Sequence, residues 1–156
     1  MRPNQAKPAR TLRRRPDEPC HCLALRQAAR HVSQFYDRFL AATGLKTTQF
    51  SVLARLHAAG PLGINALAAE LLVDRTTLGR NLRPLQRDGL IAITPGQTDR
   101  RSKELRLTTE GLVRLTAAAK GWVAAQREFQ AALGGSDTAA LHRLSRAVTA
   151  IDLPSS

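Results

Sequence analysis

Apolar side chains recur every three or four residues through most of this chain, a spacing that places them on one side of an α-helix. The first such stripe covers about 22–43 and stops at Gly44, because a glycine suits the end of a helix. A second stripe begins near Thr47 or Thr48, either of which is a suitable helix cap, and ends at Gly60. The pattern therefore predicts two amphipathic helices in this part of the chain.

Two shorter helical patterns follow, separated by a tight turn. Asn65 is expected to cap the first of them and Asp74 the second, which reaches Gly89. Two short helices joined in this way predict a helix-turn-helix. The second helix has one leucine face and one polar, mostly basic face, formed respectively by Leu78, Leu82 and Leu85 and by Thr76, Arg80, Arg83 and Arg87. An arginine face backed by a leucine face is typical of a recognition helix.

Pro84 lies inside this second helix and removes one backbone hydrogen bond, to the carbonyl of Arg80. A kink or a shorter helix is therefore an alternative for the C-terminal half. The N-terminal half, from Arg75 through Thr76 and Thr77, is the part with which a recognition helix reaches base edges. The prediction of a DNA-reading surface holds under both alternatives.

Two segments of alternating apolar and polar residues, 90–94 and 104–108, predict a β-hairpin. The side chains expected on its inner face are Ile91, Ile93, Leu105 and Leu107. The connecting turn begins at Pro95-Gly96 and is basic, with Arg100, Arg101 and Lys103. A hairpin that directly follows a recognition helix is a wing, and we expect its tip to meet DNA phosphates or the minor groove, where negative potential attracts arginine.

The C-terminal third predicts two more helices. Thr108 or Thr109 is expected to cap a long one that ends at Gly134, and Ser136 a last one. The long helix repeats its apolar side chains at spacings of four and three, which is typical of a helix-packing seam. Such a seam is expected to pack against a second copy of the chain or against the first helix, and both arrangements can hold together.

Composition favours a nucleic acid as the partner. Twenty-four Lys and Arg against twelve Asp and Glu leave a formal charge of +12 on 156 residues, which fit a single domain. No apolar run approaches the roughly 20 residues that span a bilayer, and the N-terminus lacks the apolar core of a signal peptide. Aromatic residues make up only 4%, without the interleaving that stacks single-stranded bases, so duplex DNA is favoured over RNA.

The N-terminal segment is basic and contains both cysteines of the chain. Residues 1–19 contain four prolines and six basic side chains with almost nothing apolar, which predicts a disordered basic tail, either a DNA-gripping arm or a solvated terminus. Cys20 and Cys22 lie too close together to staple distant segments, so a reducing cytoplasm is expected. Together with His21 they form a lone C-x-C pattern without further ligands at closing distance, so we predict no metal and no cofactor.

The segments DRTTLGRNLRPLQRDGLI, at 74–91, and TDRRSKELRLTTEG, at 98–111, resemble the MarR family of bacterial transcription regulators. The resemblance covers about 20–153 and implies a mainly α-helical protein with a small β-wing: a winged helix-turn-helix lobe at about 47–108 and dimerisation helices at about 22–43 and 109–152. It further implies a homodimer on a palindromic operator. The implied DNA contacts are Arg75, Thr76, Thr77, Arg80 and Asn81 on the recognition helix, and the Asp-x-Arg wing motif at Asp99 and Arg101, with Arg83, Arg100 and Lys103 as further basic candidates.

The same resemblance implies how DNA binding is controlled. Most such proteins are repressors that leave DNA when a small aromatic or phenolic ligand, or an oxidant, changes the separation of the lobes. A ligand cavity between the dimer helices and the lobe would be lined by Val32, Tyr36, Phe50 and Leu53. Cys22 stands at the position of the peroxide-sensing cysteine of one branch, with Cys20 beside it and Tyr36 matching one supporting tyrosine, whereas Thr47 replaces the second.

Two other function classes are weighed against this one. A non-specific architectural DNA-binding protein would use the same charge and the basic tail without preferring any sequence. An enzyme is not expected, because the chain has no phosphate-cradling glycine loop, nucleophile elbow or H-E-x-x-H pair.

Overall fold

A computed structural model describes residues 19–96 and 103–152 of the chain. The described elements, in chain order, are α1 (His21–Leu40), α2 (Thr47–Ala59), β1 (Leu62–Gly63), α3 (Ile64–Glu70), α4 (Arg75–Arg87), β2 (Ile91–Pro95), β3 (Lys103–Leu107), α5 (Thr109–Leu133) and α6 (Gly135–Thr149). They confirm the predicted fold class, mainly α-helical with a small β-sheet.

The helix boundaries follow local chemistry at each end. A short 3-10 turn, Ala41–Thr43, continues α1 and ends at Gly44. Gly44 has a left-handed φ of 71°, a conformation that residues with a side chain rarely adopt. Asp74 caps α4 as predicted, because its carboxylate accepts the backbone N–H of Thr77 at 2.8 Å. Helix α4 also continues through Pro84 to Arg87, so the alternative of a shorter helix is wrong.

Three predicted caps are wrong. Lys46, not Thr47 or Thr48, precedes α2, and the side chain of Gln49 accepts the backbone N–H of Lys46. Gly63 precedes α3, so Asn65 lies inside that helix. Helix α6 likewise begins at Gly135, ahead of Ser136. The caps of α3 and α6 lie two residues before the predicted ones and make no side-chain cap hydrogen bond, so the type of side chain alone does not determine where these helices begin.

The sheet contains one strand more than the predicted hairpin. Its order is β1-β3-β2 with both pairs antiparallel, and the two-residue β1 is too short to give an alternating pattern. Ile93 faces Leu105 directly across the β2 and β3 pair, so both side chains lie on the predicted inner face. Leu105 is buried, but Ile93 is 41% exposed, because this face opens towards the surface near the turn.

One apolar core joins the lobe to the long helix α5. It includes leucines from α1, α2, α3, α4 and β3, together with Leu115 and Ala118 of α5. Two glycines let α5 approach backbone closely: a Cβ on Gly121 would lie 2.3 Å from the carbonyl oxygen of Phe39, and one on Gly111 would lie 2.0 Å from that of Leu90. These close contacts fix α5 against α1 and against the base of the hairpin.

Thr108 ties three elements together at the start of α5. Its hydroxyl donates to the carbonyl of Gly89 at 2.7 Å and accepts the backbone N–H of Gly111 at 2.9 Å. Its own backbone N–H donates to the carbonyl of Leu90. The end of the recognition helix, the base of the hairpin and the first turn of α5 therefore meet at one point, and Thr108 caps α5 as predicted.

Helix α6 leaves one apolar face uncovered. Every residue of this helix is exposed or only partly covered, and its large apolar side chains are Leu141, Leu144 and Val148, followed by Ile151. Among the residues that the structure describes, no helix is both long and apolar enough to cross a bilayer. The large apolar side chains of α6 are left exposed by the other described residues of the single chain.

Candidate nucleic-acid interface

Helix α4 is held against the lobe by its leucine face. Leu78 and Leu85 are completely buried and Leu82 is 4% exposed. At about 100° per residue, burial of these three side chains turns the opposite side of the helix to solvent. The exposed residues on that outer side are Thr76, Arg80, Arg83 and Arg87, and Arg75 is exposed in the first turn of the helix. A recognition surface needs this arrangement, in which a rigid apolar face positions a row of donors.

Thr77 and Asn81 lie at the edge of that surface, both partly buried. The hydroxyl of Thr77 donates to the second oxygen of the Asp74 carboxylate at 2.6 Å, in addition to its backbone N–H on the first. These hydrogen bonds lower the pKa of Asp74, the one from the side chain most strongly. Thr77 therefore belongs to the cap of α4, and its hydroxyl oxygen retains only acceptor capacity for a base or phosphate.

Two of the arginines near this surface are held by carboxylates. Arg87, at the end of α4, bonds the carboxylate of Asp88 at 2.9 Å, and this bond raises the pKa of the guanidinium. Arg106 bonds both Glu104 and the hydroxyl of Thr94, which links the two strands of the hairpin. By contrast, Arg75, Arg80 and Arg83 take part in no ion pair within the described ranges.

One of the predicted wing contacts, Lys103, lies within the described residues. Lys103 is the first residue of β3, is exposed, and borders the same surface cavity as Arg75. The starts of α4 and β3 are therefore neighbours, and both carry a cation. Three predicted contacts, Asp99, Arg100 and Arg101, lie outside the described residues.

Hydrogen bonds and an ion pair join α1 to the start of α2. One carboxylate oxygen of Asp37 accepts the backbone N–H of Thr47 at 2.7 Å and its hydroxyl at 2.8 Å, and Lys46 lies 3.5 Å from the other oxygen. Burial raises the pKa of Asp37, but these hydrogen bonds and the charge of Lys46 together lower it by more. Sequence reasoning assigned Thr47 to a cap and missed the carboxylate that satisfies it.

Replacing Asp37 by alanine is expected to lower the free energy of unfolding by about 1–3 kcal/mol at neutral pH, since a charged acceptor of two hydrogen bonds is lost. The lowered pKa means that this contribution is present above the ordinary aspartate pKa, about 3.9, and is lost as pH falls through the folded value. Urea unfolding of the wild-type protein and of the Asp37→Ala variant, at pH 7 and at pH 3, measures this contribution to the free energy of unfolding. The matched control is Asp152→Ala, which removes an exposed aspartate. A difference that stays equally large at pH 3 contradicts the assignment.

The four predicted ligand-cavity residues occupy different environments. Tyr36 and Phe50 are each 7% exposed, Leu53 is completely buried in the core, and Val32 is partly buried on α1. The hydroxyl of Tyr36 donates to the side-chain oxygen of Gln126 on α5, and burial raises the pKa of this tyrosine. Of the four, only Phe50 borders the cavity found between α2 and α5.

That cavity, of about 310 Å³, has an aromatic wall that sequence reasoning missed. The rings of Phe50 and Trp122 stack with centroids 4.4 Å apart and an interplanar angle of 13°. Arg55 also lines the cavity and bonds Glu70 at 2.7 Å. Trp122 belongs to the apolar repeat of α5 by its spacing, and it lines this cavity because α5 packs beside α2.

The two cysteines stand at the start of α1. Cys20 is the cap of that helix, and its sulfur accepts the backbone N–H of Leu23 at 3.4 Å. Cys22 lies in the first turn, and both thiols are exposed and free of disulfides. Across the described residues, no group of three or more histidine, cysteine or carboxylate side chains is placed to hold a metal ion.

Comparison with known proteins agrees with this architecture. The sequence model of the MarR family matches residues 43–102. A curated relative, the transcriptional activatory protein BadR of Rhodopseudomonas palustris, is 33% identical over 90 residues, which cover 56% of this chain and 51% of that protein. The match therefore spans about half the length of that relative.

Solved structures match over most of the chain. The M. tuberculosis transcriptional regulator MosR in complex with DNA is 38% identical, with a TM-score of 0.73, and the match covers 86% of this chain and 100% of that one. The transcriptional repressor CouR bound to a 23-mer DNA duplex is 27% identical, with a TM-score of 0.74, and the match covers 83% of this chain and 92% of that one. These relatives are transcription regulators rather than enzymes. With this fold, this basic recognition helix and these similarities, the chain belongs to the MarR family of winged-helix, DNA-binding transcription regulators.

Proposed function

We propose that the protein is a homodimeric repressor that binds a palindromic operator in the cytoplasm and is released by a small aromatic or phenolic ligand. The observation that carries this proposal is the outer face of α4, opposite the buried leucines. Arg80 and Arg83 on this face, and Arg75 in the first turn of the helix, are exposed and free of ion pairs with described residues. Arginines in this position form bidentate hydrogen bonds with guanine edges or phosphates.

We assign the DNA contacts to one side of the lobe. Thr76, Thr77 and Asn81 supplement the arginines of α4, and the wing supplies Lys103 together with Asp99, Arg100 and Arg101, whose proposed roles rest on sequence alone. The lobe, about 47–108, reads DNA, while about 22–43 and 109–152 hold the dimer together. Two lobes related by dimer symmetry would read half-sites about 34 Å apart, one helical turn of DNA.

The uncovered face of α6 supports the homodimer. Leu141, Leu144, Val148 and Ile151 are between 40% and 65% exposed, which is a continuous apolar surface at the end of the proposed dimerisation segment. Soluble monomers rarely leave such a surface in water, because apolar area removed from water is stabilising by about 25 cal/mol per Å². A second copy that presents the same face is the partner that explains it.

The aromatic cavity between α2 and α5 supports the choice of ligand. A flat aromatic ring would pack beside the stacked rings of Phe50 and Trp122. Arg55, which also lines the cavity, would bind the carboxylate or phenolate of such a ligand in place of Glu70. The cavity borders both the lobe and the long helix. A ligand there would favour one separation of the two lobes, and only a ligand with unequal affinity for the two separations shifts the DNA-binding population.

A thiol switch is the second candidate for the signal. The sulfur of Cys20 already accepts a backbone N–H at the start of α1, and Cys22 lies exposed in the same turn. Susceptibility of a cysteine to oxidation by peroxides rises with its exposure to solvent. Oxidation of Cys22 would then change the start of α1, at the other end of the helix that Asp37 ties to the lobe.

Fluorescence anisotropy on duplexes from the DNA upstream of the gene tests these proposals together. We expect tight binding at physiological salt that a scrambled duplex does not reproduce, and release by benzoate or 4-hydroxybenzoate. Trp122 is the sole tryptophan of the chain, so quenching of its emission by the same ligands reports occupancy of the cavity.

Each arm has an outcome that contradicts one claim. Equal affinity for the scrambled duplex, with a steep loss in salt, makes the protein an architectural DNA binder instead. If peroxide releases the DNA and aromatic ligands do not, and if the Cys22→Ser variant no longer responds to peroxide, then the thiol and not a ligand receives the signal. Stimulation of a reporter promoter on operator binding would make the protein an activator, the role in the name of its relative BadR.

A further inference from the structure

The turn between α3 and α4 carries an exposed leucine with a left-handed backbone. Leu72 has a φ of 51°, the only positive φ of a non-glycine residue in the described ranges. Its side chain is 71% exposed, more than any apolar side chain on the uncovered face of α6. A bulky residue in this conformation costs folding free energy, because its Cβ crowds the following carbonyl oxygen. Leucine at this position is therefore unfavourable for the backbone, and its side chain is not buried within the chain.

The hydrogen bonds of the turn impose this conformation. The backbone N–H of Leu72 donates to the carbonyl of Ala69 at 3.2 Å, and that of Val73 donates to the carbonyl of Ala68 at 3.0 Å. This pair of bonds ends many helices, and the left-handed residue within it is usually a glycine. Leu71 and Val73, on either side of Leu72, pack against the core. These contacts fix the turn and leave the side chain of Leu72 in solvent.

This turn leads directly into the end of α4 that we assign to DNA. Leu72 lies two residues before Asp74, the cap of α4, and three before Arg75. Its Cα is therefore within about 11 Å of the Cα of Arg75, the reach of three extended residues. A recognition helix enters the major groove with its N-terminal residues, so the turn before it comes to the same groove. On the major-groove edges of the four bases, the only apolar group is the C5-methyl of thymine.

We propose that Leu72 packs against a thymine methyl group, so that the protein selects a thymine in each half of its operator. This inference rests on the proposed DNA-binding function and adds to it the identity of one base. The arginines of α4 read hydrogen-bond acceptors, whereas a leucine reads the absence of polar groups. A strained residue whose side chain is unburied in its own chain is explained where a partner buries it.

Replacement of thymine by deoxyuridine removes only the methyl group. The probes are the operator duplex from upstream of the gene and duplexes in which one symmetric pair of thymidines at a time is replaced by deoxyuridine. At one pair we expect the wild-type protein to bind about fourfold or more weakly, the effect of one methyl group that Leu72 no longer removes from water. Leu72→Asn, which tolerates the left-handed backbone but is polar, should bind that duplex and the unmodified one equally.

Two further variants control for indirect effects on affinity. Leu72→Met keeps an apolar side chain at the same position and should still distinguish thymidine from deoxyuridine. Arg80→Ala should weaken binding to both duplexes by the same factor, because its contact does not involve the methyl group. Coupling between the methyl group and position 72, without coupling to Arg80, is the double-mutant result that we expect.

Leu72→Gly separates this role from a structural one. Glycine adopts a left-handed φ without steric cost, which offsets the greater freedom of glycine in the unfolded chain. We therefore expect the urea midpoint of Leu72→Gly to equal or exceed that of the wild-type protein, while its discrimination between the two duplexes is lost. A clear fall in the midpoint would mean that the side chain of Leu72 is needed for folding, and would overturn the proposal.

The remaining outcomes are distinguishable. If the wild-type protein binds the operator but responds to deoxyuridine at no position, or if Leu72→Asn responds as the wild type does, the thymine contact is wrong and the proposed function stands. If the wild-type protein binds no operator duplex, the proposed function fails and this inference fails with it. Light scattering on Leu72→Asn gives the oligomeric state, and dissociation of this variant would assign Leu72 to a contact between copies instead of DNA.

Discussion

Arg80→Ala is expected to weaken binding to the operator duplex by about ten- to a hundredfold, corresponding to the ~1–3 kcal/mol carried by a bidentate arginine contact. Arg80 is exposed on the outer face of α4, and Leu78 and Leu82 beside it are buried, so the backbone holds the guanidinium at one place on the surface. Its removal leaves the core untouched. The loss should therefore appear in affinity and not in thermal stability.

The matched control is Arg143→Ala, which removes the same charge from α6. At about 100° per residue Arg143 lies on the side of α6 opposite Leu144 and Val148, so neither the lobe nor the apolar face of that helix is altered. Anisotropy at two salt concentrations separates a base contact from a phosphate contact, because a phosphate contact reduces the salt dependence. Equal affinities of the two variants would remove α4 from the DNA interface.

Gly111→Ala is expected to lower the free energy of unfolding by about 3 kcal/mol or more, at the upper end of the range for overpacked sites. The added Cβ would lie 2.0 Å from the carbonyl oxygen of Leu90 and 2.8 Å from the side chain of Leu107, distances that no rotamer change relieves since the first contact is with backbone. Helix α5 would have to move away from the base of the hairpin. Urea unfolding followed by circular dichroism, at one fixed protein concentration, measures the change.

Gly79→Ala is the control for the glycine substitution itself. Gly79 lies inside α4 without a positive φ, and an added Cβ would meet no heavy atom within 4 Å beyond the adjacent backbone of its own helix. The substitution should therefore stabilise the protein by about 0.5–1 kcal/mol, as expected for alanine over glycine in a helix. Equal destabilisation of the Gly111→Ala and Gly79→Ala variants would show that close packing around Gly111 is not the reason why position 111 requires glycine.

Sequence reasoning succeeded where a pattern depends on one element alone. The leucine spacing of α4 and the alternation in β2 and β3 are set by the geometry of a single helix or strand, so the recognition face and the inner face of the hairpin were predictable. Asp74 and Thr108 were predictable as caps for the same reason, since each bonds a donor three residues ahead.

The failures concern features that two distant segments make together. Thr47 does not cap α2; its backbone N–H donates to the carboxylate of Asp37, ten residues earlier in the chain. Leu53, predicted to line a ligand cavity, is completely buried in the core. Trp122 reaches the wall of the aromatic cavity only because α5 crosses α2. Local periodicity carries no information on such pairings.

The junction at Thr108 makes α5 a lever with the recognition helix at one end. With 25 residues the helix is about 37 Å long, and the hydrogen bonds of Thr108 to Gly89 and Gly111 fasten its first turn to the end of α4. A tilt of about 5° at the far end then displaces α4 by about 3 Å, close to the ~3.4 Å spacing between successive nucleotides of one DNA strand. In the proposed dimer, a small angular change at the far end of α5 would therefore shift α4 by about one base pair along the DNA.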